Sequence, residues 1–294
     1  MVRNPDDQNA RAPNTTPTVG IALGAGGAKG VAHIPMLEAL DELGVTPHRI
    51  AGCSIGAVFG ALYASGLSAV ELRDRIEQLA ITKQDTVRGV FSDKKLSKWL
   101  DMIDPTIRGS GLLKSESIMD TLCREAPCET FEDLAIPFAV VATDFWEHQA
   151  VVIDSGPLHP AIQASFALPG VFPPVELDGR VLIDGGTVNP VPFDILTGTC
   201  DIVIAVDINS GSPAEHGSVP GYFSNLFGSI QIMQQAIVRR ELEARHPDIY
   251  LKPMLKDFRT LQFYRADEIY RQAQPAKDQL KRELEERLEA WTST

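Results

Sequence analysis

Apolar positions along the chain fall into short continuous runs that alternate with helix-spaced stripes. TVGIALG (18–24) is an unbroken apolar run and reads as a buried strand. A glycine-rich turn follows it. Leu37, Leu40 and Leu43 then recur at helical spacing up to Gly44, a residue suited to ending a helix. Pro35 either starts that helix or kinks it, because it lacks an N–H. RIAGC (49–53) predicts a second strand, and the small-residue segment 55–66 predicts the helix after it. VELRDRIEQLA (70–80) reads as an amphipathic helix and SIMDTLCREA (117–126) as another helix, while the mixed stretch between them, 81–114, is a candidate cap or lid. PFAVVATDF (137–145) predicts a strand that pairs with QAVVID (149–154) across FWEHQ, and RVLID (180–184) and DIVIAVDIN (201–209) predict two more. Near the end, Leu280, Leu284, Leu288 and Trp291 share one face of a helix over 275–291, read as docked on its own domain rather than as a dimer contact. Strands alternating with helices predict an α/β fold with a mainly parallel sheet covered on both faces. It would form a single domain over 18–294, behind a polar, disordered tail at 1–17.

Charge and cysteine content narrow the function classes. A net charge of −12 disfavours strong non-specific attraction to nucleic acid. Cys53, Cys123, Cys128 and Cys200 show no paired metal-ligand spacing, so no metal site is expected and the thiols read as free in a reducing compartment. Residues 1–17 lack the apolar segment of a signal peptide. The expected location is cytoplasmic, with membrane contact at most peripheral.

AGCSIGAVFGALYASG (51–66) admits three readings: a nucleophile turn, a packed small-residue helix, or a membrane span. A span needs about 20 predominantly apolar residues, and this run is broken by glycines and serines. GCSIG (52–56) fits G-x-S-x-G. A strand that turns at once into a helix holds Ser54 in strained backbone geometry, and Gly52 and Gly56 remove side chains that would clash there. The serine oxygen then projects at a helix N-terminus, where negative charge is stabilised.

GAGGAKG (24–30) fails the phosphate-loop pattern, because Lys29 is followed by Gly30, and fails the dinucleotide pattern, because Lys29 takes the last glycine position. No cofactor is expected. An oxyanion hole remains, since bare glycine backbones let N–H groups approach a tetrahedral oxygen anion. A serine hydroxyl also needs a base. His148, His159, His216 and His246 follow Ser54, but none sits in a small-residue catalytic loop, and His33 reads first as a packing residue. Asp184 in VLIDGGTVNPVP is the stronger candidate: it ends an apolar strand, and Gly185 and Gly186 leave room around its carboxylate. Partial burial would raise its proton affinity.

In this order and spacing, the blocks resemble the patatin-like phospholipase family in its bacterial branch. GAGGAKG resembles the family's oxyanion block, GCSIG its nucleophile elbow, and IDGG its catalytic aspartate block. ASFALPGVFPPV (164–175) and TDF (143–145) resemble further family segments. The resemblance implies a three-layer α/β/α sandwich and a lipid acyl hydrolase with a Ser–Asp dyad. Ser54 would be the nucleophile, Asp184 the base, and the N–H groups of Ala25, Gly26 and Gly27 the oxyanion hole, with Ala25 a departure from the family's usual glycine. Lys29 would brace the loop. The implied partner is a lipid or ester substrate. Two rivals stay open: a low-turnover lipid-binding or regulatory protein of the same fold, and an esterase with a Ser–His–Asp triad. VPGYFSNLFGSIQIM (219–233) reads first as a helix packed on the core; exposed, it would suit peripheral membrane docking.

Overall fold

The computed structural model describes residues 16–77, 128–209, 219, 222–256, 258 and 265–293. Most of the predicted tail, the cap candidate 81–114, the helix at 117–126, Cys123 and His216 lie outside the described residues.

Among the described residues, eight strands form one sheet: β1 (Val19–Leu23), β2 (Arg49–Cys53), β3 (Phe138–Asp144), β4 (Gln149–Ile153), β5 (Val175–Leu177), β6 (Arg180–Asp184), β7 (Ile202–Val206) and β8 (Ile249–Leu251). The order is β5-β6-β3-β2-β1-β7-β8, with β4 also paired to β3. The sheet is mixed. From β3 through β2, β1 and β7 to β8 every pairing is parallel, while β4 and β6 on β3, and β5 on β6, are antiparallel. The β3–β4 hairpin is the one the alternation predicts. The two shortest strands, β5 and β8, carry too few residues to show a period.

Among the described residues, the α-helices α1 (His33–Glu42), α2 (Ile55–Ala64), α3 (Leu158–Ser165), α4 (Tyr222–Ala244) and α5 (Ala266–Thr292) accompany the sheet. A further helical stretch covers 69–77. Side chains alternate across a strand, so the sheet divides the interior in two. Ile21, Leu23, Ile50 and Ile204 pack with α1, α2 and α5 on one face; Ala22, Ala51, Val203 and Ala205 pack with Phe193, Leu196 and α4 Val238 on the other. β1 is buried along its whole length, as its uninterrupted apolar sequence requires.

Pro35 falls in the first turn of α1, where its missing N–H costs nothing, and a 3-10 turn at Gly27–Ala32 leads into the helix. The segment 51–66 is therefore a strand end and a ten-residue helix sunk in the core, not a span. Among the described residues, no helix is long and apolar enough to cross a membrane. The C-terminal helix starts nine residues before the predicted 275 and runs through Pro275. Leu280 and Leu284 are fully buried, and Lys277 reaches Glu38 at 2.9 Å and Glu42 at 2.7 Å on α1. Arg73 joins the same cluster at 2.6 Å from Glu38 and lies over the Tyr270 ring. These contacts are those of a helix docked on its own chain.

Candidate active site

Ser54 leaves the sheet between β2 and α2 with φ +54° and ψ −121°, a strained geometry for a residue with a side chain. The turn is compact because Gly56 touches the end of β1; a Cβ there would lie 2.0 Å from the Leu23 carbonyl oxygen. Gly52 sits under the same turn, against the Ala57 backbone.

Asp184 reaches Ser54 through the register of β3. Cys53 is paired with Val141, and Asp184 is paired with Ala142, the next residue along. Ala142 and Val140 also pair with β4, so β2 and β6 must share the opposite edge of β3. β2 ends where β6 arrives from the other direction. Asp184 occupies the place on β3 that Ser54 would have taken had β2 continued. A Cβ on Gly185 would fall 2.1 Å from the Val141 carbonyl oxygen, so this close approach requires glycine.

The resulting contact is direct. The Ser54 hydroxyl donates to Asp184 Oδ2 at 2.6 Å, and the Gly186 N–H donates to Oδ1 at 2.7 Å. Thr143 Oγ1 donates to the Asp184 carbonyl at 2.9 Å, and the Asp184 N–H donates to the Ala167 carbonyl at 3.0 Å. Burial pushes the Asp184 carboxyl up to about 6, against the opposing pull of the bonds from Ser54 and Gly186. A group whose folded-state pKa is raised contributes stability below its unfolded value of 3.8 and loses it as pH rises through 6. Asp184→Asn removes that loss. Urea unfolding should show it gaining up to about 3 kcal/mol on the parent between pH 4 and pH 7. A pH-independent difference would show that Asp184 is not held in its neutral form.

The glycine turn reaches the same site from β1. Ala25, Gly26, Gly27, Ser54 and Asp184 line one cleft, with Phe166, Leu168, Val171, Phe172 and, from α4, Phe227 and Ile230 as apolar wall. The Ala25 N–H, however, donates to the Pro190 carbonyl at 2.8 Å. That bond occupies the N–H of Ala25, one of the three expected oxyanion donors. The Gly24 N–H donates to the Val206 carbonyl at 3.1 Å. The Gly24 carbonyl accepts from His33 Nε2 at 2.8 Å, so that nitrogen carries the proton. Burial drives the His33 pKa down to about 4, and the ring is neutral at physiological pH. His33 thus braces the loop and is not among the residues lining the cleft.

Gly30 packs under Ile55. Lys29 is buried outside the cleft lining; burial lowers its pKa and the nearby Asp207 carboxylate opposes the shift. Asp207 is itself held by Lys252 at 2.9 Å and by the Tyr250 hydroxyl at 2.7 Å. No histidine is among the described residues lining the cleft. Among the described residues, no cluster of His, Cys, Asp and Glu could hold a metal ion.

Several site residues carry no local sequence signal. Asn209 and Gln234, both in the cleft wall, are joined by a 2.7 Å hydrogen bond across 25 residues. Ser165 touches the Ser54 backbone across 111. Only the family-like segment 164–175 marks the neighbourhood of Ser165.

Comparison with protein families matches residues 21–197 to one described as patatin-like phospholipase. The chain belongs to the patatin-like phospholipase family. The matched span includes the glycine turn, the turn at Ser54 and Asp184. An uncharacterized NTE family protein of Mycobacterium tuberculosis is 39% identical over 202 residues, covering 68% of this chain and 51% of that protein. Human patatin-like phospholipase domain-containing protein 6 is 28% identical, over 86% of this chain and 19% of its own length. Lysophospholipase nte1 of Aspergillus fumigatus is 26% identical, over 86% and 17%. The chain thus spans about half the length of the mycobacterial relative and less than a fifth of the other two. Among solved structures, the ExoU–SpcU complex from the type III secretion system of Pseudomonas aeruginosa matches 93% of this chain and 52% of its own, with 18% identity and a TM-score of 0.47.

Proposed function

We propose that the protein is a serine acyl hydrolase that cleaves fatty-acyl esters of phospholipids or lysophospholipids. The 2.6 Å bond from the Ser54 hydroxyl to a buried carboxylate, on the floor of an apolar cleft, carries this reading. Above about pH 6 Asp184 is ionised and positioned to take the Ser54 proton. The freed oxygen attacks the ester carbonyl. The N–H groups of Gly26 and Gly27 stabilise the oxyanion, together with the positive end of α2. Asp184 returns its proton to the departing alcohol. It then deprotonates a water that releases the fatty acid from acyl-Ser54. Phe166, Phe172, Phe227 and Ile230 supply the wall for an acyl chain. The fungal relative's name, lysophospholipase, points to the same substrate class.

The finer reading adds peripheral membrane contact through α4. One side of this helix lines the cleft, while Leu226, Ile232 and Met233 remain exposed, Ile232 by 70%. An apolar surface beside a cleft for lipid suits interfacial docking. The test is fatty-acid release from lysophosphatidylcholine and from phosphatidylcholine vesicles, beside hydrolysis of soluble p-nitrophenyl butyrate. The parent should act on all or some of the lipids. An Ile232→Glu, Met233→Glu double variant should lose vesicle hydrolysis several-fold while keeping the soluble rate. Equal rates on vesicles would remove the docking role, and no acyl release from any lipid or ester would remove the enzyme.

A further inference from the structure

The parallel ladder between β2 and β3 has one anomalous rung. Ile50 donates its N–H to the Pro137 carbonyl at 2.9 Å, in a register that pairs Ile50 with Phe138. Donors on one edge recur every second residue. Two residues on, the donor is Gly52. Two more bring the Ser54 N–H opposite the Val141 carbonyl. That bond is not made directly. The Ser54 N–H donates to Ser165 Oγ at 2.8 Å, and Ser165 Oγ donates onward to the Val141 carbonyl at 2.6 Å. Ser165 is the last residue of α3 and is fully buried. Its hydroxyl is therefore an oxygen inserted between two strands, with one proton received and one given.

We propose that Ser165 is a positioning residue whose hydroxyl replaces the last rung of the β2–β3 ladder and holds Ser54 away from β3, opening the gap that Asp184 fills. The inference rests on the reading of Ser54 as nucleophile and Asp184 as base. Two further observations fit it. Asp184 is paired with Ala142, immediately beyond the spaced rung. Two residues after Ser165, the Ala167 carbonyl also holds the second member of the dyad, by accepting the Asp184 N–H. The end of α3 and the turn directly after it thereby set the backbone of both residues. Without the hydroxyl, the Ser54 N–H and the Val141 carbonyl are left facing each other in a dry site. Closing that gap into an ordinary rung draws the Ser54 oxygen off the carboxylate.

The test compares Ser165→Ala and Ser165→Thr with the parent on p-nitrophenyl butyrate across pH, with urea unfolding of each. Alanine should lower kcat by about 10- to 100-fold, the scale of a misplacement near 1 Å, with KM little changed. Threonine keeps the hydroxyl and should recover most of the rate. The acid limb of the profile supplies a readout that a merely structural role would not move. Asp184 faces the Ser54 hydroxyl, the Gly186 N–H and the Cys53 thiol, which burial keeps neutral. The Ser54 bond holds the Asp184 pKa down, so weakening it in Ser165→Ala should move the acid limb to higher pH. A parent-like kcat in Ser165→Ala overturns the proposal. So does a lost kcat with an unmoved acid limb, or a well-folded threonine variant as slow as alanine. Ser54→Ala run alongside separates the two levels. If it stays active, the nucleophile reading fails; if it is dead while Ser165→Ala is unimpaired, only the role of Ser165 fails.

Discussion

Ser54→Ala should reduce ester hydrolysis by roughly 10⁴-fold or more while the chain stays folded. The loss follows from chemistry rather than packing. The substitution removes one oxygen whose partner is the buried Asp184 carboxylate, and it leaves the backbone turn and the core around α2 in place. Asp184→Asn should be comparably slow, because an amide holds the hydroxyl but cannot take its proton. Residues that act as one unit are non-additive, so the double variant should be no slower than Ser54→Ala alone. A fluorophosphonate probe gives an independent readout: it should label the parent and leave Ser54→Ala unlabelled. His148→Ala and His246→Ala, both exposed and outside the cleft, should keep the parental rate. Retention of a hundredth of the rate by Ser54→Ala would place the nucleophile elsewhere, and one indispensable histidine would restore the Ser–His–Asp alternative.

Gly56→Ala should be the most damaging single-carbon change for folding. The added Cβ would lie 2.0 Å from the Leu23 carbonyl oxygen, 2.5 Å from its carbon and 2.9 Å from the Gly24 carbonyl oxygen. All three belong to backbone at the end of a central strand, so no rotamer change relieves the contact. Overpacking against movable side chains costs about 1–3 kcal/mol. Here the cost should exceed that range and also displace the start of the glycine turn. Gly60→Ala makes a useful middle case, since its Cβ would meet the Phe138 ring at 2.7 Å, and a ring can shift. Gly228→Ala in α4 is the control. Nothing lies within 4 Å of its Cβ, and helix propensity favours alanine by up to about 1 kcal/mol. Urea midpoints should rank Gly228→Ala above the parent, then Gly60→Ala, then Gly56→Ala. A parent-like Gly56→Ala would mean that α2 does not sit this close to β1.

What the sequence made legible was what is local. The strand RIAGC, the turn at Ser54 and the helix after it are contiguous, and their order alone suggests an elbow. Asp184 was legible because two glycines follow an apolar strand. The missing pieces depend on partners far away along the chain. The Ala25 N–H reads as an oxyanion donor until Pro190, 165 residues later, takes it. Ser165 ends a helix whose sequence, LHPAIQAS, carries an internal proline and too few turns to show a stripe. α4 read as either packed or exposed because it is both: Phe227 and Gln234 turn inward, and Ile232 and Met233 outward. The predicted C-terminal helix begins at 275, yet α5 starts at Ala266 and carries Pro275 inside, held by contacts on α1 that no local pattern reveals.

Two buried groups near the glycine turn, Asp184 and His33, exchange protons on folding in opposite directions. Asp184 rises from 3.8 to about 6, so near pH 5 folding takes up close to one proton there. His33 falls from 6.5 to about 4, so at the same pH folding releases close to one. The stability from Asp184 fades as pH rises through 6, and that from His33 fades as pH falls toward 4. The two slopes oppose each other across one window. Between about pH 4 and pH 6 these two contributions largely cancel, although each residue alone would act as a pH sensor.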